Sequence, residues 1–422
     1  MLRTPLRFHA NLDKFAAAGT RFTQFYVTGV TCCPSRTGFM TSKFPATYAK
    51  YPAGHGFSGR ITITDLLRHA GYATGHFGKW HIGPEQKAGT YGIDTVGAED
   101  GEGGGRKKGT GLRGRDASIY DAAMEFIAQN KDRPFYVNVW GHVSHFPVNP
   151  PPAYADRFKE VTVKESDFGP ALREKFAQVR QLGGDVNAAM RKYLGDVASL
   201  DDDAGRLLAK LDELGLREKT LVVFSSDQGP APVTTGKDLN APTGADGKNA
   251  RREFAVNMLG SPGPFRGGKH GMYEGGVRVP FILRWPGHVP AGRVDSQSVI
   301  SAIDWLPTLC AIAGIKPNVT DFDGEDVSAA WRGQMPHVRT KPLLWKVSNP
   351  RADVGIRSGA WKLILPGARR SEPELYDLDA DAGETRNLAT ARPEIVQRLS
   401  ALANTWNATL PKTYDKSGAK ED

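Results

Sequence analysis

The sequence predicts an α/β protein: a large mixed, mostly parallel sheet with helices on both sides, followed by a smaller C-terminal α+β domain. Three observations predict it. A helix with a glycine stop is followed, again and again, by an apolar strand and then a polar cluster. The clearest strands are short continuous apolar runs, as strands covered on both faces should be. Beyond about Gly333 the alternation gives way to short strand-like runs and one final helix.

Asn11 to Ala18 reads as a helix stopped by Gly19 and leading into a strand from Phe22 to Val27. Asp65 to Ala70 repeats the pattern, with Gly71 as the stop and Tyr72 to Phe77 as the strand. The longest helix runs from Met190 to Leu214, where Met190, Tyr193, Val197, Leu200, Ala204 and Leu207 keep helical spacing. Gly215 supplies its C′ position. Leu221 to Phe224 then reads as a strand buried on both faces, and Phe135 to Trp140 and Phe281 to Trp285 as further strands. In the C-terminal part, Gly355 to Leu365 and Glu374 to Leu378 read as strands and Pro393 to Trp406 as the last helix. The domain boundary is placed accordingly, at 1–335 and 336–422.

A chain of 422 residues with 40% hydrophobic content can bury a large core, so one large domain and a small one are expected rather than a string of modules. No apolar run approaches the ~20 residues of a membrane span, and Met1 to Ala10 has positive charge but no apolar signal region. The net charge of +9 is spread along the chain, and its one local cluster, Arg106 to Lys108, lies in a glycine run with no nucleic-acid motif around it. Neither a nucleic-acid nor a membrane partner is expected; an acidic substrate such as a sulfated or phosphorylated compound suits the charge at least as well. Three cysteines, two of them vicinal, are too few for a disulfide framework.

Ligands of open α/β sheets gather beyond the carboxyl ends of the strands. Lys79 with His81, His142 with His145, and Asp227 with Gln228 all fall at such places. Two long glycine-rich stretches, Gly97 to Arg115 and Pro230 to Gly268, interrupt the pattern, and loops this long are usually functional or disordered.

Cys32-Cys33-Pro34-Ser35-Arg36-Thr37-Gly38-Phe39-Met40-Thr41 resembles the sulfatase signature C-x-P-S-R-x-x-x-[LM]-T, with Ser42 where the family usually has Gly. An isolated Cys-x-Pro would read as buried thiols or half a zinc site. Here Ser35, Arg36, Met40 and Thr41 are all in register with the signature. Gly78-Lys79-Trp80-His81-Ile82-Gly83 is similar to the family's G-K-W-H-[LI]-G block. His142 to Pro147 resembles H-x-P-H-x-P, with Ser144 in place of Pro, and Ser226 to Gly229 resembles S-D-[NHQ]-G. Arg266 to Lys269, Tyr273 to Pro280, Leu375 to Leu378 and Gly383 to Leu388 match further blocks in the family's order.

The resemblance implies an alkaline-phosphatase-like fold and hydrolysis of sulfate esters, most similar to arylsulfatase-type and glycan sulfatases. Cys32 would be oxidised to formylglycine by a formylglycine-generating maturation enzyme. Its aldehyde hydrate would attack sulfur, form a covalent sulfo-enzyme, and release sulfate by collapsing to the aldehyde. Arg36 would hold the hydrate, Lys79 and Lys269 would bind sulfate oxygens, and His81 would deprotonate the hydrate. His145 would serve the sulfate or the leaving group, and His142 would either touch substrate or be structural. Asp227 and Gln228, with the modified Cys32, would ligate Ca²⁺ or Mg²⁺, which favour oxygen donors. Glu274 and Arg278 are expected to pair and hold their loop.

The family begins with an apolar strand ending in two metal-binding aspartates. Asp13, in the early helix, is the only acid before Cys32. The sequence therefore expects a sheet without its first strand and half the metal shell, either encoded upstream or absent from a fragment. Two other functions stand beside sulfate-ester hydrolysis: a phosphonate or phosphodiester hydrolase of the same superfamily, and an inactive homologue that binds sulfated glycans. A periplasmic or secreted location is expected from the family.

Overall fold

The computed structural model describes residues 9–83, 87–97, 113–233, 256–319, 321–368 and 370–419. The basic cluster at 106–108 and much of both glycine-rich stretches lie outside these residues.

The strands that position the site are β1 (Thr20–Tyr26), β2 (Ala73–Gly78), β3 (Thr95–Gly97), β4 (Phe135–Trp140), β5 (Val222–Ser225), β6 (Arg278–Arg284), β7 (Arg293–Asp295) and β8 (Ile300–Ser301). They form two sheets. A parallel sheet has the order β3-β2-β4. A mixed sheet has the order β5-β6-β1-β7, with β8 also on β1. In it β6 runs antiparallel to both of its neighbours, β5 and β1, and β7 and β8 run parallel to β1. The register between β1 and β6 shifts between Phe22 and Phe25, and beyond that bulge Phe25 stacks on Phe281 with ring centroids 4.1 Å apart.

The main helices are α1 (Ala10–Ala17), α2 (Cys32–Thr41), α3 (Ile63–His69), α4 (Ala117–Gln129), α5 (Val186–Glu213), α6 (Trp305–Ala313) and α7 (Pro393–Thr409). Two of them begin earlier than apolar periodicity suggests, and caps explain both. Thr62 and Asp65 form a reciprocal capping box at α3. The Asp185 carboxylate accepts from the N–H groups of Asn187 (2.7 Å) and Ala188 (3.1 Å) at the start of α5. Among the described residues no helix is long and apolar enough to cross a membrane.

The C-terminal sheet is antiparallel, in the order β12-β11-β10-β9, from β9 (Leu343–Trp345), β10 (Val354–Ser358), β11 (Trp361–Leu365) and β12 (Glu374–Asp377). Helix α7 packs on β10 and β11. Trp345, Ile356 and Leu363 join Tyr26, Phe281 and Leu306 in one buried core, so this sheet and the mixed sheet share an interior.

One expectation is corrected. β5 is half-buried along its whole length rather than covered on both faces. Among the described residues β5 pairs only with β6, and β4 only with β2. Their other edges open on a cavity of about 1530 Å³, lined by every residue of both strands, which extends to Cys32.

Candidate active site

Cys32 is the first residue of α2, immediately after the short turn that follows β1. That turn needs glycine at position 29, because a Cβ there would stand 2.4 Å from the backbone nitrogen of Ser35. The helix start separates the two vicinal thiols. Cys32 faces the cavity, while Cys33 is packed in the core; neither is in a disulfide, nor is Cys310. Ser42 caps the end of α2 in left-handed backbone (φ 55°), the conformation for which Gly is preferred. Its hydroxyl donates to Ile303 O (2.5 Å) and accepts from Gly324 N–H (3.2 Å), which a glycine could not do.

Cations converge on the Cys32 thiol. Lys79 Nζ lies 3.6 Å from Sγ, and the charges of Lys269 and Arg36 also act on it. Lys79 is aimed there by Gly78, whose φ of 97° turns the chain out of β2. A Cβ at Gly78 would meet Trp140 O at 2.2 Å. Arg36 reaches back along its own helix, donating through Nε to Asp227 Oδ2 (2.9 Å) and through Nη1 to Lys79 O. Its guanidinium lies 4.8 Å from the centroid of the Trp140 ring. Lys269 is held by its N–H to Pro230 O (3.0 Å), and His270 N–H reaches Val30 O (2.9 Å), so this loop lies against the approach to α2.

Asp227 and Gln228 follow β5 directly. Gln228 Nε2 donates to Cys32 Sγ (3.2 Å), while its Oε1 is buried and without a hydrogen-bond partner. Burial pushes the Asp227 carboxyl up, but Arg36, Lys79 and Lys269 outweigh it and hold the group below its ordinary value. An ionised carboxylate beside an unsatisfied amide oxygen is a donor pair that fits a hard divalent cation. Among the described residues no three His, Cys, Asp or Glu side chains cluster to complete such a shell.

Burial, reinforced by Asp227, pushes the Cys32 thiol above its ordinary value against Lys79, Lys269 and Arg36. The unmodified residue is thus a buried thiol rather than a thiolate poised for attack.

His142 and His145 line the same cavity as Cys32, Arg36, Lys79, Asp227, Gln228 and Lys269. Burial lowers the His142 imidazole below its ordinary value, with Arg115, Lys79 and Arg36 adding to the effect against Asp116. His81 is not among the lining residues. Two positions after Lys79 it would share its face in an extended strand, but the turn at Gly78 and its own φ of 60° break that alternation.

Glu274 and Arg278 pair as expected (3.2 Å), within a larger buried network. The Glu274 carboxylate also accepts from Tyr26 Oη (2.6 Å) and Lys362 Nζ (3.0 Å), and Lys362 pairs with Glu384 at 2.9 Å. Lys362 had no signal in the sequence, because it reads as a surface charge, and Glu384 stood out only as part of the block from Gly383 to Leu388. Arg115 ends a glycine-rich stretch and Asp116 follows it, and the sequence singles out neither, yet both hydrogen-bond the histidine segment.

Comparison with known proteins identifies the family. A family model described as Sulfatase matches residues 3–315, and one described as N-sulphoglucosamine sulphohydrolase, C-terminal, matches residues 266–407. The chain is 29% identical to arylsulfatase A of Homo sapiens, over 93% of this chain and 81% of that protein. It is 26% identical to N-acetylgalactosamine-6-O-sulfatase of Bacteroides thetaiotaomicron, over 93% and 87%. Among solved structures, Ps i-CgsB in complex with k-i-k-neocarrahexaose superposes with a TM-score of 0.72 at 22% identity, covering 97% of this chain and 90% of that one, a likeness of fold.

Proposed function

The chain belongs to the sulfatase family and is a sulfuric ester hydrolase; from that premise we propose that Cys32, as formylglycine, is its nucleophile and that its substrates are sulfated carbohydrates. The observation that carries the nucleophile is the convergence of Lys79, Arg36, Lys269 and Gln228 on one buried thiol whose own ionisation is disfavoured. A site built for thiolate attack would stabilise the thiolate; this one surrounds position 32 with donors suited to oxygen. The modified residue supplies a hydroxyl for attack on sulfur and a second hydroxyl whose loss of a proton releases sulfate. A formylglycine-generating enzyme is the partner this chemistry requires.

Lys79 and Lys269 neutralise the sulfate and stabilise charge as the ester bond breaks. Arg36 keeps Asp227 ionised and ties α2 to the end of β2. Asp227 and Gln228 would hold Ca²⁺ or Mg²⁺, which when bound supplies further positive charge at the reacting oxygens. These two oxygens are a minority of the six to eight that calcium takes. His145, on the cavity wall, would bind the sulfate or protonate the leaving alcohol. Carbohydrate substrates are supported by the relative named N-acetylgalactosamine-6-O-sulfatase.

The test is co-expression with a maturation enzyme, followed by mass spectrometry of the Cys32 peptide and turnover of an aryl sulfate, a phosphodiester and 6-sulfated N-acetylgalactosamine. Formylglycine at position 32, turnover of both sulfates above the phosphodiester, and no turnover by Cys32→Ala are expected. Full turnover with Cys32 unmodified would overturn the nucleophile, and failure on the sugar sulfate alone would overturn the substrate class.

A further inference from the structure

Two adjacent residues ahead of α4 grip the backbone of the histidine segment from both of its polar sides. The Asp116 carboxylate accepts from His142 N–H (2.9 Å to Oδ1, 2.8 Å to Oδ2) and from Val143 N–H (2.9 Å). Arg115 takes the carbonyls: Nη2 donates to His142 O (2.9 Å) and His145 O (2.7 Å), and Nη1 to Pro147 O (2.9 Å). Asp196 of α5, itself buried, braces the same guanidinium at 3.1 Å. The chain passes so close to Asp116 that a Cβ at Gly141 would stand 2.4 Å from Oδ2.

Arg115, Asp116 and Asp196 do not line the cavity, whereas His142 and His145 do. The planar guanidinium fork can span carbonyls of three residues at once, which a lysine ammonium cannot do with the same geometry. Charge-assisted bonds of this kind fix a segment more firmly than neutral ones. We propose that Arg115 and Asp116, braced by Asp196, are positioning residues that fix the backbone from His142 to Pro147 and thereby set the rings of His142 and His145 in the active site. This rests on the sulfatase reading only for its kinetic consequence; the effect on the rings is a property of the fold.

Displacing a catalytic group by about 1 Å costs on the order of 10²-fold in rate. The experiment compares wild type, Arg115→Ala, Arg115→Lys and Asp116→Asn after maturation. It measures kcat and KM on an aryl sulfate, melting temperature, and the NMR resonances of the histidine rings. Arg115→Ala is expected to lower kcat by about 10²-fold with KM within about threefold, on the scale of that displacement cost. Arg115→Lys should recover little, and millimolar guanidinium should restore part of the Arg115→Ala kcat. The His142 and His145 ring resonances should shift in Arg115→Ala and in Asp116→Asn, while those of distant His288 stay in place. Unmoved rings in both variants, or a kcat loss that follows melting temperature and is not relieved by guanidinium, would overturn the clamp. If the wild type turns over no sulfate ester, the functional reading fails by itself, and the ring resonances still decide the clamp.

Discussion

Replacing Lys362 by methionine tests the electrostatic joint between the C-terminal sheet and the loop that carries Lys269. Lys362 is fully buried, with Nζ 3.0 Å from Glu274 and 2.9 Å from Glu384, both also buried. Methionine keeps most of the volume and removes the charge, so the loss is electrostatic. Breaking a buried ion pair by deleting one partner costs about 3–5 kcal/mol. Glu274 keeps Arg278 and the Tyr26 hydroxyl, so the charge left without a counter-ion is that of Glu384, which retains the Glu274 N–H (2.6 Å), and the lower end, about 3 kcal/mol, is expected. Burial already pushes the Glu384 carboxyl above its ordinary value. Without Lys362 it rises further, so the penalty is greatest at high pH and eases as falling pH protonates Glu384. Urea denaturation at pH 8 and pH 5.5 reads both effects. Adding Glu384→Gln to Lys362→Met should recover about 1–2 kcal/mol at pH 8, since it removes the unpaired charge. A Lys362→Met cost below about 1 kcal/mol, or a double variant no better than the single, would refute the reasoning.

Three further outcomes are expected. Asp203 is buried, and burial, opposed by Arg113 and aided by Asp116, Asp121 and Asp202, pushes its carboxyl up to about 7. The folded state then favours the neutral acid, so stability falls as pH rises from about 4 through about 7. Asp203→Asn should flatten that slope and gain about 2 kcal/mol at pH 8, measured by denaturation across pH. Ser42→Gly relieves left-handed backbone but strands Ile303 O and Gly324 N–H, and the second effect wins. A net loss of about 1 kcal/mol is expected from the melting temperature. In protein produced without the maturation enzyme, Cys32 should be alkylated by iodoacetamide at pH 7 at least about tenfold more slowly than a free cysteine, followed by peptide mass spectrometry.

Much of the site was legible because its chemistry requires particular side chains next to one another in the chain. Cys32 to Thr41 form one helix, so the signature's spacing is also the spacing of that helix's faces. Asp227 and Gln228 follow a strand, where an open sheet leaves donors exposed to ligand. His81 was less legible: its place depends on φ at Gly78 and at His81 itself, which residue type does not report. The half-burial of β5 was not legible either, since an apolar run reads the same whether or not a neighbouring strand covers its edge.

The sequence by itself determined the fold class and the family, and it singled out Arg36, Lys79, Gln228 and Lys269, which the fold brings to Cys32. Local periodicity and contiguous chemistry suffice for those. Only the tertiary structure decided which of the vicinal thiols faces the cavity, that β4 and β5 present open edges to it, and that Lys362, Arg115 and Asp116 hold the active-site loops. Those roles depend on partners tens to hundreds of residues away. A charge that reads as solvated in the chain becomes structural only when folding removes water from it and brings its counter-charge or carbonyls within 3 Å.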